Sequence, residues 1–346
     1  MFKNHDKENM FESIWNFPNN LKDAIALGNG LELKNNYSHI NNIVIAGMGG
    51  SAIGGDIVSV LENSNIKIPF TVCRDYSIPE WVNSSSLVIC SSYSGNTEET
   101  ISAFHMSIER GASICGITTG GTLLKLLKEN KKDFIKIPSG LQPRAAVAFS
   151  FIPLIKLIEK IGLIKSELDF WIENSIDDLK KKRIIYGSEG NENPVYQLAR
   201  KIYKKIPIIY SDVSSMRINA VRLKGQINEN GKMLAYNNDL PELNHNEIVG
   251  WQNNPEIFEY LCVLWLEDDN DNNRTKIRKN ITEKILDEVN IPQYSIQIIG
   301  KSFQERFLHM IHYGDWLSFW CAILHKTDPS PVEKIVKLKN ELSKIN

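Results

Sequence analysis

The sequence has almost no charge imbalance: 40 Lys and Arg against 41 Asp and Glu leave a formal net charge of −1. Proteins that bind nucleic acid or an acidic membrane surface present a basic face, and here the basic residues are spread along the chain. The Lys-rich runs at 128–132 and 180–183 read as solvated helix ends. Nor is there a basic helix-turn-helix stretch of the kind a DNA-binding regulator needs. Cysteine is sparse as well. Five residues (Cys73, Cys90, Cys115, Cys262, Cys321) form an odd set without C-x-x-C spacing, which argues for buried thiols in a reducing compartment and against a disulfide framework or zinc. No His-x-His or His/Glu cluster has the spacing of a metal site, so no metal and no cofactor are expected. No apolar run approaches the ~20 residues of a membrane helix. Met1 to Ser13 is polar and charged, unlike a signal peptide. A cytoplasmic protein is expected.

What is present is ordinary globular composition, 42% hydrophobic and 23% charged over 346 residues, enough for about two domains. Short apolar runs alternate with helical patterns. Strands are expected at Asn42–Ala46, Phe70–Cys73, Leu87–Cys90, Ser113–Thr118 and Asp133–Ile137, separated by helices. That alternation predicts a doubly wound α/β domain with a parallel sheet. Two helices, 149–161 and 166–182, read as a connector. A second α/β set then has strands at 207–210, 260–266 and 295–299, and helices at 303–325 and 331–344 close the chain. The expected division is 1–160, N-terminal helices plus a first domain, and 161–346, connector plus a second domain. The similar order in the two halves suggests a duplicated fold. Residues 228–250 read as a polar segment, and the acidic Asn-rich patch 267–273 as a surface loop.

The organising stretch is Ser86-Leu-Val-Ile-Cys-Ser-Ser-Tyr-Ser-Gly-Asn-Thr-Glu-Glu-Thr100. A buried strand ends in a cluster of hydroxyls with one glycine, and a helix follows with Glu98 and Glu99 in its first turn. Strand, hydroxyl loop and helix start aim N–H and O–H groups at one spot where the helix dipole is positive. A phosphate monoester fits there; the plainer reading is a Ser/Thr cap in an α/β turn. Upstream, Gly47-Met-Gly-Gly-Ser51 also lies between strand and helix. With Asp75 further on, it resembles a dinucleotide fingerprint, but the glycine spacing fits loosely and the hydroxyl loop would then be superfluous. The turn could instead hold a sugar hydroxyl next to the phosphate, or serve only close packing.

Three further segments are more polar than a scaffold requires. Gln142-Pro-Arg-Ala-Ala146 sets Arg144 at the start of a long helix, where a permanent cation could stabilise an oxyanion; otherwise it is a surface arginine. Glu229 closes a helix in Lys224-Gly-Gln-Ile-Asn-Glu-Asn230, and His245 sits among amides in Pro241-Glu-Leu-Asn-His-Asn-Glu247. Singly they read as a solvated carboxylate and a loop histidine. Together they suit acid–base work.

In this order, Gly-Met-Gly-Gly-Ser51, Ser-Tyr-Ser-Gly-Asn-Thr97, Pro-Arg-Ala-Ala146, Asn-Glu-Asn230 and His-Asn-Glu247 resemble the bifunctional phosphoglucose/phosphomannose isomerases, members of the phosphoglucose isomerase superfamily built on sugar-isomerase (SIS) domains. The resemblance runs from about residue 40 to the C-terminus. It implies two SIS domains and a homodimer whose active sites lie between subunits. The substrate would be a hexose 6-phosphate, held by Ser92, Ser94 and Thr97 with Gly50 and Ser51 alongside. Arg144 would stabilise a cis-enediolate, Glu229 would move the proton between C2 and C1, and His245 of the neighbouring subunit would assist ring opening. A C-terminal lysine also used in ring opening matches Lys339 in Ile335-Val-Lys-Leu-Lys339, with Lys337 the rival. Ser330 falls where archaeal-type members have a threonine near the sugar. The alternative from another class is a non-catalytic SIS sensor, which needs the hydroxyl loop but not Glu229, Arg144 and His245 together.

Overall fold

A computed structural model describes residues 2–345. Its packing separates two compact units, Asn16–Lys180 and Met1–Trp15 with Lys181–Asn346. Residues 161–180, expected with the second domain, thus belong to the first unit, and the first fifteen residues belong to the second.

In the first unit, β1 (Asn42–Ala46), β2 (Phe70–Cys73), β3 (Ser86–Ser92), β4 (Ser113–Thr118) and β5 (Asp133–Lys136) form one parallel sheet in the order β2-β1-β3-β4-β5. Helices cover both faces, which is why β1 and β3 are buried along their whole length and read as continuous apolar runs rather than alternating ones. One face packs Val44, Val88 and Cys90 against Phe104, Leu123 and Leu127. Phe104 comes from the Glu98–Glu109 helix; Leu123 and Leu127 sit four apart on the Gly121–Glu129 helix, so one stripe of each helix meets the sheet. Burying a side chain of this size contributes about 1.5–3 kcal/mol. Gly54 shows how tightly the Gly49–Leu61 helix packs: a Cβ there would lie 2.7 Å from the backbone of Ser150 in the Val147–Ile161 helix.

The second unit has its own parallel sheet of β6 (Ile206–Asp212), β7 (Tyr236–Leu240), β8 (Leu261–Glu267) and β9 (Gln293–Gln297), in the order β7-β6-β8-β9. The winding repeats that of the first sheet without its last strand. β7 lies inside the stretch expected to be only a polar segment. Tyr236-Asn-Asn-Asp-Leu240 has no apolar alternation because it is an edge strand, joined to β6 through the backbone with most side chains exposed or half-buried. The Phe303–Leu324 helix is buried at every position from Arg306 to Ala322. Phe11, on the Met10–Trp15 helix, packs edge-on against Trp316 and Phe319 at ring distances of 5.0 and 5.7 Å. Such aromatic pairs add about 0.5–1.5 kcal/mol beyond area burial, which accounts for the N-terminal helix joining this unit.

The five thiols are free, four of them buried and Cys73 half-buried. Burial pushes Cys115 and Cys262 up to about 12, so they stay protonated and inert.

Candidate active site

In a doubly wound sheet the crevice opens at the C-terminal strand ends where the winding reverses; in the first sheet that point lies between β1 and β3. The loops leaving these two strands carry the Gly47–Ser51 turn and the hydroxyl segment. Ser51 Oγ accepts a hydrogen bond from the Tyr93 amide at 3.2 Å, which ties one loop to the other. Ser92 is buried, and its Oγ pairs with Thr97 Oγ1 at 2.8 Å and accepts from the Gly95 amide at 3.1 Å. Thr97 stands at the N-cap of the Glu98–Glu109 helix but makes no side-chain capping bond; its hydroxyl meets Ser92 instead. The plain capping reading therefore does not describe this loop. Ser94 is exposed, and its Oγ accepts from the Asn96 amide at 3.2 Å.

A neighbouring loop holds the segment from behind. Thr119 donates its amide (3.2 Å) and hydroxyl (2.7 Å) to the Tyr93 carbonyl, and the Leu123 amide donates to the Gly95 carbonyl at 2.8 Å. Asn96 Oδ1 accepts from both the amide and the hydroxyl of Thr122. The hydroxyls and the amides near them are thus fixed before any anion arrives, which is what a preorganised oxyanion site needs.

Arg144 is not a surface arginine. It sits in a 3-10 turn, Pro143–Ala145, ahead of the Val147–Ile161 helix, with 5% of its surface exposed. The turn lies against Gly50: a Cβ added there would stand 3.0 Å from the Pro143 carbonyl oxygen and 3.8 Å from Arg144 Cα. Gly50, Ser51, Ser92, Thr97 and Arg144 are therefore drawn together in one unit. Tyr93, which the sequence reading passed over, links them. Besides its amide bond to Ser51, its phenol oxygen accepts from the Leu141 amide at 3.0 Å, in the approach to Arg144. Tyr93→Phe removes that bond. We expect a stability loss of about 0.5–1.5 kcal/mol, read from thermal melts, and weaker binding of a phosphate monoester, read by calorimetry. If neither moves, Tyr93 does not hold these loops.

The remaining candidates lie in the second unit. Glu229 ends the Arg217–Glu229 helix and is half-buried. Lys232 donates to the Glu229 carbonyl and, at 3.0 Å, to the Pro329 carbonyl, so the helix end is fastened to the turn that carries Ser330. Ser330 is fully buried, its amide donating to Asp328 Oδ1 at 3.0 Å. His245 is exposed at the end of a short 3-10 turn, Glu242–His245. Its loop is anchored on both sides: Asn244 donates to Thr282 Oγ1 at 2.9 Å, and the Glu247 carboxylate accepts from Tyr210 and, at 2.6 Å, from Asn238. Lys339 and Lys337 are both exposed on the Glu333–Leu342 helix. Lys339 lies one turn from Ile335, beside the apolar stripe of Ile335, Leu338 and Leu342, whereas Lys337 lies on the opposite side.

The equivalent crevice of the second sheet, between β6 and β8, has a different lining. A cleft of about 300 Å³ there is lined by Asp212, Asp268 and Asp271 among others. The 267–273 patch, expected as a surface loop, is partly an inward anchor: Asp268 is buried and takes Arg306 Nε at 2.7 Å and Nη2 at 2.9 Å. Burial, with Asp212 and Asp268 nearby, raises Asp271 to about 6, against hydrogen bonds from Ser215 and the Asp268 amide. Lys276 and Lys279 line the same cleft, Lys279 pairing with Glu267 at 3.1 Å, so the second crevice carries a mixed set of charges where the first carries hydroxyls.

Residues 191–342 match the family model for the bacterial phospho-glucose isomerase C-terminal SIS domain. A bifunctional phosphoglucose/phosphomannose isomerase of Caldicellulosiruptor bescii is 43% identical over 97% of this chain and 99% of the relative. Another, of Aquifex aeolicus, is 39% identical over 87% of this chain and 90% of the relative. Among solved structures, hypothetical protein TT0462 of Thermus thermophilus superposes with a TM-score of 0.73 at 14% identity, over 98% of this chain and 91% of that one. The C-terminal domain of glucosamine-fructose-6-phosphate aminotransferase from Francisella tularensis gives 0.69 at 17% identity, over 93% of this chain and 98% of that one. The two structural neighbours establish the fold. The sequence relatives go further: the chain belongs to the bifunctional phosphoglucose/phosphomannose isomerases.

Proposed function

We propose that this protein catalyses reversible aldose–ketose isomerisation of glucose 6-phosphate and of mannose 6-phosphate to fructose 6-phosphate. The observation that carries the reading is the fastened cradle of Ser51, Ser92 and Thr97 beside a buried Arg144, in a chain 43% identical to a named bifunctional isomerase. Ser92, Ser94 and Thr97 bind the ester, with Gly50 and Ser51 next to the sugar. His245 and Lys339 assist ring opening. Glu229 takes the proton from C2 and returns it to C1, while Arg144 stabilises the charge developing on oxygen. Glucose and mannose phosphates differ only at C2 and share one enediolate, so a single base serves both.

His245 stands exposed at the tip of an anchored loop, a placement suited to reaching into the site of a second copy, and the working form is a homodimer. Free thiols fit a cytoplasmic setting. Among the described residues no helix is long and apolar enough to cross a membrane.

A carboxylate, a guanidinium and an imidazole provide base, electrostatic stabilisation and acid, so activity should survive exhaustive EDTA treatment; loss that added metal restores would refute this scheme. Incubation with fructose 6-phosphate in deuterated water should place deuterium on carbon and yield both aldose phosphates. A non-catalytic sensor, which the isomerase relatives do not favour, would leave every carbon-bound proton in place.

A further inference from the structure

The Arg217–Glu229 helix and the Phe303–Leu324 helix share a buried polar seam that leads to the base. Arg222 Nη2 meets both carboxylate oxygens of Asp315 at 2.7 and 2.8 Å, and Gln226 Nε2 donates to Asp315 Oδ1 at 2.5 Å. One turn further along, Asn230 Nδ2 donates to Ser318 Oγ at 2.9 Å, and Ser318 Oγ donates to the Asp315 carbonyl at 2.8 Å. Arg222, Gln226 and Asn230 follow one another at four-residue spacing, so one helix face carries all three. Asn230 and Ser318 are fully buried, and Asp315 is 3% exposed.

Buried ion pairs of this kind are weak sources of stability, because apolar residues of similar volume do as well or better. What a directional network supplies is a fixed register between two helices that apolar packing alone would let slide. Asn230 immediately follows Glu229, so whatever fixes Asn230 also fixes the backbone from which the Glu229 carboxylate projects.

We propose that Ser318 and Asp315 are positioning residues for Glu229, acting through Asn230 and through Gln226 and Arg222. The inference rests on the reading of Glu229 as the base. Neither residue belongs to the phosphate cradle, so the ester should bind normally when the seam is cut. A displacement of 1 Å at a reacting group can lower turnover about 10²-fold.

The test compares Ser318→Ala, the near-isosteric Ser318→Cys and the conservative Ser318→Thr in the full chain, with Glu229→Gln run alongside. Expected are a kcat lowered at least about tenfold in the Ala and Cys variants, KM within about twofold, an unchanged melting temperature in the Cys variant, and recovery towards the parent kcat in the Thr variant. A purely structural role would instead lower the folded fraction and leave the kcat of folded enzyme unchanged. Parent-like kcat in both Ala and Cys variants, with Glu229→Gln inactive, overturns the positioning role alone. Substantial activity in Glu229→Gln overturns the base reading and this inference with it.

Discussion

Glu229→Gln should lose almost all isomerase turnover while still binding the phosphate ester. Glutamine keeps the size and the hydrogen-bonding reach of the side chain but cannot take a proton from carbon. A positioned general base contributes about 10² to 10⁴-fold, and the C2 proton of an aldose phosphate has no other acceptor in the proposed scheme. The fold should tolerate the change. Glu229 is the last residue of its helix and only half-buried, and the substitution keeps the backbone carbonyl that receives the Lys232 bond. The phosphate cradle belongs to the other unit, so ester affinity, measured as the inhibition constant of a non-isomerisable sugar phosphate or by calorimetry, should stay within about threefold. Three readouts therefore separate: turnover falls, deuterium incorporation from solvent stops, and binding persists. A variant retaining more than about a tenth of the parent rate would remove Glu229 from the mechanism. One that lost binding together with turnover would show that the substitution had disturbed more than the base.

The parts of the site that could be read in the sequence are those in which one short stretch holds both the element and its chemistry. Leu87–Cys90 reads as a strand because parallel sheets bury both faces, and the hydroxyls after it stand out because a simple turn needs only one cap. The parallel, doubly wound character of the first sheet was readable for the same reason. What escaped depends on partners distant in sequence. Tyr93 is an unremarked letter within its motif until Ser51 and Leu141 are seen bonded to it. Asp268 reads as surface charge until Arg306 closes on it from another helix. β7 escaped because an edge strand holds its place by backbone pairing and leaves no apolar pattern. The N-terminal helices were expected without a destination, since a helical pattern says that something covers one face and not what; Phe11 against Trp316 supplies it. Arg144 lay between these cases: its type suggested an oxyanion partner, while its burial became visible only with the turn folded against Gly50.

Gly95→Ala should damage the phosphate cradle more than its single added methyl suggests. Gly95 has φ +71°, where an L-residue costs roughly 1–2 kcal/mol, and its added Cβ would fall 1.8 Å from the Gly120 carbonyl oxygen. That atom is backbone and cannot rotate away, so one loop has to move. Either movement breaks the fastening: the Gly95 carbonyl accepts from Leu123, and the Gly95 amide donates to Ser92 Oγ, the hydroxyl that also meets Thr97. Loss of even one charge-assisted bond to the ester removes about 1.5–3 kcal/mol, so roughly ten- to a hundredfold weaker binding of hexose 6-phosphate is expected. Gly111 provides the control. Its φ of +68° imposes nearly the same backbone strain, but an added Cβ meets nothing within 4 Å. Gly111→Ala should therefore lower the melting temperature modestly and leave KM alone, whereas Gly95→Ala should lower it further and raise KM. The difference between the two variants isolates the clash from the strain. If they melt together and bind fructose 6-phosphate equally well, the hydroxyl loop is not the anchor for the ester, and the placement of substrate at the β1–β3 crevice fails with it.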